Sequence, residues 1–169
     1  MSTDARPLWR RTRAILAIEI AALVVLVVLV VLGVSGSRTP AGPPVLSVGS
    51  VWARATPPGA ATASVYLEIA NDGGTGDVIV GADTPAAGSV MVHQTEVTDN
   101  IATMTELGNG IAIPAGGSLS LSPGGNHLML SSLPGPLVEG TTFPISLRFG
   151  SGATISTTVT VLGAAATGP

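Results

Sequence analysis

From Val45 onward, apolar and polar residues alternate over short stretches separated by clusters of turn-forming residues. Alternation with a period of two is the signature of half-buried strands. It predicts strands over Ser64–Ile69, Asp77–Val80, Ser89–Thr95, Ile101–Leu107, Ser118–Leu121, His127–Leu130, Phe143–Phe149 and Ala153–Leu162. Between them lie Asn71-Asp72-Gly73-Gly74, Asp99-Asn100, Pro114-Ala115-Gly116-Gly117, Pro123-Gly124-Gly125-Asn126 and Gly150-Ser151-Gly152. Such residues supply the fixed or positive φ that tight turns require. No stretch of this region repeats with the helical period. Eight or nine strands so spaced point to an all-β domain, an antiparallel sandwich or barrel with one core.

The first 44 residues follow a different pattern. Ala14–Val34 is a 21-residue apolar run interrupted only by Glu19, and Arg10, Arg11 and Arg13 precede it. A bilayer core needs roughly 20 residues of helix, and the arginines keep residues 1–13 on the cytoplasmic side. One N-terminal transmembrane helix is therefore expected over 14–34, with Glu19 close to its cytoplasmic edge. The alternative is a cleaved export signal, for which Gly33-Val34-Ser35-Gly36-Ser37 offers small residues, though the run is long for that role. Either way the remainder is exported: a Pro/Gly linker at 35–44, a β domain at 45–163 and a short tail at 164–169.

Composition narrows the chemistry. Only 10% of the 169 residues are charged, and there is no cysteine. Disulfide frameworks, thiolate metal sites, cysteine nucleophiles and lipidated cysteines are thereby excluded. Beyond Val45, Arg54 and Arg148 face eight carboxylates, which disfavours nucleic acid and favours a cationic ligand. No nucleophile elbow and no phosphate-binding loop is present, so the expectation is a protein that is not an enzyme. Trp52 and Tyr66 read as core aromatics. Arg54 reads either as core-edge packing or as an ion-pair partner.

What remains is concentrated. Apart from Met1, the methionines are Met91, Met104 and Met129, and the histidines are His93 and His127, all within residues 91–129. Met91 and His93 share one strand face, as do His127 and Met129. A turn centred on Thr98-Asp99 would set His93 directly opposite Met104, and one centred on Asp99-Asn100 would make them diagonal neighbours. Both arrangements bring the pair within about 4.5–8 Å. If the strands meet at one end of the domain, His93, Met104, His127 and Met129 converge. Two imidazoles and two thioethers form a soft, neutral donor set suited to Cu(I). A blue-copper electron carrier needs a cysteine thiolate, which is absent. Four protein ligands leave no open position for catalysis.

The pattern His93-x10-Met104-x22-His127-x-Met129 resembles the periplasmic copper chaperones of the PCu(A)C type. The likeness extends through Val51–Gly59, Tyr66–Asn71, Ile113–Gly117 and Pro123–Met129 and covers most of residues 49–162. It implies a Greek-key, cupredoxin-like sandwich. It also implies delivery of copper to the copper A centre of cytochrome oxidase or to another copper assembly factor. The chain departs from that pattern in a slightly longer Met104–His127 interval. Thr95 stands where many members carry a further methionine, and no His- and Met-rich tail follows. Met91 lies on the same strand face as Thr95; alone, it reads as core or rim. The expected protein is a membrane-tethered, extracytoplasmic Cu(I) carrier with copper-accepting partners, or a secreted or periplasmic one if the signal is cleaved. A metal-free cell-envelope interaction module is the alternative, and it would place His93 and His127 far apart.

Overall fold

The computed structural model describes residues 42–98 and 101–169, and all its regular elements are strands. The membrane segment expected at 14–34 and most of the linker lie outside the described residues. In chain order the elements are β1 (Leu46–Val48), β2 (Trp52–Arg54), β3 (Thr62–Asn71), β4 (Asp77–Asp83), β5 (Ser89–Thr98) and β6 (Ile101–Glu106). They continue with β7 (Ile111–Ile113), β8 (Gly117–Leu121), β9 (Asn126–Ser131), β10 (Thr142–Phe149) and β11 (Thr154–Leu162). The eight strands expected from alternation are all present. β1, β2 and β7 were not anticipated, because three residues are too few to establish a period.

Hydrogen bonding links the strands in the order β6-β5-β9-β3-β2-β11-β10-β4-β7, while β1 and β8 flank the C-terminal half of β3. The ten-residue β3 therefore serves two neighbourhoods: β2 and β9 along its first half, β1 and β8 along its second. The expectation of a wholly antiparallel architecture is corrected at one place. β2 runs parallel to β11, with Trp52 opposite Thr160 and Arg54 opposite Leu162, so the sheet is mixed. A parallel pair joins segments distant in sequence, here across almost the whole domain.

Alternation sets the core. Ile145, Leu147 and Phe149 of β10 and Val159 and Val161 of β11 point inward, between exposed Arg148, Thr158 and Thr160. Val65, Leu67 and Ile69 of β3 join Leu128 and Leu130 of β9 on the same side. Side chains of this size each contribute about 1.5–3 kcal/mol on burial.

Two buried polar side chains tie the loops to this core. Asn71 is fully buried, and its Oδ1 accepts from the amides of Val45 and Gly73, at 3.1 and 3.0 Å. Its Nδ2 donates to the carbonyls of Thr75 and Pro114, at 2.9 and 3.2 Å. One amide thus holds the entry to β1, the β3–β4 loop and the β7–β8 turn. Asp77 does the same for the β10–β11 turn: it accepts from the amides of Val78 and Ser151 and from the Ser151 hydroxyl at 2.6 Å. Gly110, at φ +74°, closes the turn before β7 with its amide on Leu107, and a Cβ there would run into the carbonyl of Ile79.

Candidate metal centre

The outer face of the sheet carries the candidate ligands. In β5, Val90 and Val92 lie opposite Leu130 and Leu128 on the core side, so Met91, His93 and Thr95 project the other way. In β9, Leu128 and Leu130 are fully buried in the core, and His127 and Met129 occupy the opposite face. The register sets His93 directly across from His127 and Met91 directly across from Met129. The two imidazole centroids are 5.8 Å apart, with the rings inclined at 57°. The separation expected of a metal-free module is not found.

Met104 arrives from β6, the outermost strand. The β5–β6 register sets Thr98 opposite Ile101. Of the two alternatives left open by spacing, the diagonal one is therefore realised: Met104 faces Thr95, and His93 faces Glu106. Every described residue of β6 is exposed, Met104 at 58%. Met129 and Met91 are half-buried.

The imidazole nitrogens are the most informative atoms. His127 is only 3% exposed. Its Nδ1 lies 3.1 Å from the carbonyl oxygen of Gly125. A carbonyl can only accept, so Nδ1 carries the proton and the neutral ring is left with a lone pair at Nε2. That Nε2 is buried with no hydrogen-bond partner, and so are both ring nitrogens of His93. Three orphaned buried nitrogens on facing residues would be costly as an end in themselves. They suit a cation between the rings, with the Gly125 carbonyl fixing the tautomer of one ligand from behind.

A row of side chains runs across this face. Trp52 and Tyr66 pack with centroids 4.6 Å apart, and Tyr66 lies 6.4 Å from His127. Both aromatics are buried, but on the outer side of β2 and β3 rather than in the main core. Arg54 is half-buried at the end of β2, and its Nε donates to the carbonyl of Ala166 at 2.7 Å, tying down the C-terminal tail. Residues Thr167–Pro169 of that tail line a cavity of about 270 Å³ together with Trp52, Leu67 and Pro123.

Glu106, read from the sequence as part of an acidic hairpin rim able to steer a cationic partner, lies directly opposite His93 in the hairpin register. It adds negative charge beside the rings. Among the described residues, no group of three His, Cys, Asp or Glu side chains is arranged to hold a metal. The thioethers of Met91 and Met129 share this face with the two histidines, and thioether is a soft donor that favours Cu(I) over zinc, calcium and magnesium.

Comparison with known proteins agrees with this chemistry. Residues 46–161 match the LpqE-like lipoprotein family. A Leifsonia xyli protein named "Putative lipoprotein Lxx21020" is 31% identical over 154 residues, covering 90% of this chain and 92% of its own. Among solved structures, the chain resembles the solution structure of CuI-DR1885 from Deinococcus radiodurans. The identity is 31% and the TM-score 0.56, over 76% of this chain and 83% of that one. The apo PCuAC domain from PmoF1 superposes with a TM-score of 0.58 at 24% identity, over 70% of this chain and 93% of that one, a likeness of fold.

Proposed function

Because the chain belongs to the LpqE-like family, whose solved neighbours are PCuAC domains, we propose that it is a non-enzymatic, extracytoplasmic copper chaperone. It binds one Cu(I) through His93, His127, Met129 and Met104 and hands it to an acceptor by ligand exchange. The observation that carries this reading is the facing His93–His127 pair, with three buried ring nitrogens lacking partners beside soft thioether donors. The copper-loaded state of the Deinococcus radiodurans relative supports the choice of metal.

Transfer follows from where the ligands sit. Met104 stands exposed on an edge strand, whereas His127 is enclosed by β3 and β5. An incoming ligand from the acceptor therefore reaches the metal first on the Met104 side. Thioether and imidazole are neutral donors, so Cu(I) keeps its positive charge and moves readily to an acceptor with anionic thiolates. The copper A centre of cytochrome oxidase, or another copper assembly factor, is the proposed acceptor. With no cysteine in the sequence to take a lipid, membrane attachment is assigned to the apolar run at 14–34.

A Cu(I) titration against a competing chelator tests the site. The His127→Ala, Met129→Ala variant should lose at least about a hundredfold in affinity. Unchanged affinity in a folded variant would remove the assignment.

A further inference from the structure

Met91 has no role in the site so far described, yet its placement is not that of a core filler. We propose that Met91 is a further copper-ligating residue, holding Cu(I) together with His93, His127 and Met129 once the Cu–S bond to Met104 has broken. The inference rests on the copper-carrier reading and adds to it the route by which the metal stays bound during transfer.

Register is the first support. His93 opposes His127 and Met91 opposes Met129 on adjacent same-face rows of the β5–β9 ladder. These four side chains form a two-by-two array. Directly opposed Cβ atoms lie about 4.5–5.5 Å apart, and the rows are separated by roughly 6.5 Å along the strands. Methionine, with three rotatable bonds, can bring its sulfur across that gap. A metal over the rings thus has a thioether available from either strand.

Direction is the second. A methionine that merely fills a sandwich interior belongs on the Val90 and Val92 side of β5, against Leu128 and Leu130. Met91 points the other way and remains half-buried beside the unpartnered ring nitrogens.

The third is the contrast with Met104. Met91 sits between the core-facing Val90 and Val92 of β5, opposite Met129 of β9, and is half-buried. Met104 sits on β6, which pairs only with β5. Met104 is exposed on its outer strand, whereas Met91 is half-buried against β9. The exchange balances simply: the Cu–S bond to Met104 breaks and one to Met91 forms. Both donors are neutral electron-pair donors, so copper stays Cu(I) and no proton moves.

The test uses the full chain loaded with Cu(I), read by X-ray absorption at the copper edge and by chelator competition. In Met104→Leu, one Cu(I) should remain bound with two sulfur scatterers, those of Met129 and Met91. In Met91→Leu, Met104→Leu, the count should fall to one and the affinity to at least tenfold below that of the single variant. A single sulfur in Met104→Leu, or equal affinity of the two variants, overturns the role of Met91. The sulfur count in Met104→Leu does not depend on how well the double variant folds. If the unsubstituted chain takes up no Cu(I), the underlying carrier reading fails instead, and the two failures are separate.

Discussion

His127 concentrates several physical effects in one side chain. Its backbone position in β9 is set by the core residue next to it, Leu128, and its tautomer by the Gly125 carbonyl. Its free nitrogen is buried without a partner. The same logic governs the structural polar residues, with water replaced by backbone. Asn71→Ala strips four hydrogen bonds from a fully buried position and should destabilise the domain by on the order of 3 kcal/mol in chemical denaturation. Asp77 gives a pH signature. Burial, the largest influence, pushes its carboxyl up. Hydrogen bonds from the Ser151 hydroxyl and from the amides of Val78, Ser151 and Gly150 together outweigh it, and the carboxyl lies below its ordinary value of 3.8. A lowered folded-state value means that the contribution is complete above the ordinary value and is lost as the pH falls through the lowered one. Asp77→Asn should therefore lower stability at neutral pH by about 1–3 kcal/mol and flatten the acid limb of a stability-versus-pH curve. An unchanged acid limb would show that other carboxylates set it.

Among elements, the β5–β6 hairpin carries both candidate ligands and exposed apolar side chains. Val97 and Ile101 are 60% and 68% exposed near its tip, close in sequence to the candidate ligand Met104. Apolar side chains so exposed, on a strand edge with unpaired backbone groups, suit a transient contact with an acceptor. Val97→Ser, Ile101→Ser should slow copper transfer to an acceptor several-fold in stopped-flow measurements while leaving Cu(I) affinity unchanged. A fall in affinity instead would tie the tip to metal binding. The hairpin was also the most legible part of the site. Its turn is local, so the sequence narrowed Met104 to two positions relative to His93. The pairing of β5 with β9 joins segments about thirty residues apart, and no local pattern dictates that His93 should face His127 rather than Met129.

Across the whole molecule, alternation revealed the long strands because one face of each meets a common core. It missed β1, β2 and β7, which are three residues long and are held by their neighbours rather than by their own pattern. The parallel pairing of β2 with β11 was equally invisible, since it depends on how the chain closes. On the outer face, the β2–β3 pairing sets Trp52 against Tyr66, and Tyr66 lies near His127 of β9, so a buried wall stands beside the candidate site. The architecture thus separates a core face that stabilises from an outer face that carries the candidate ligands. Large-to-small changes should separate them too. Leu147→Ala should cost about 2–5 kcal/mol of stability and, below its melting transition, leave Cu(I) stoichiometry unchanged; loss of copper from the folded variant would show that the two faces are coupled.

The central claim is that the facing histidines hold the cargo. It is tested most directly by counting Cu(I) retained per chain after dialysis against a competing chelator, with and without His93→Ala, His127→Ala. The unsubstituted chain should retain one Cu(I), and the double variant, still folded by circular dichroism, should retain none. Equal retention by both would contradict a copper centre on this face of the sheet.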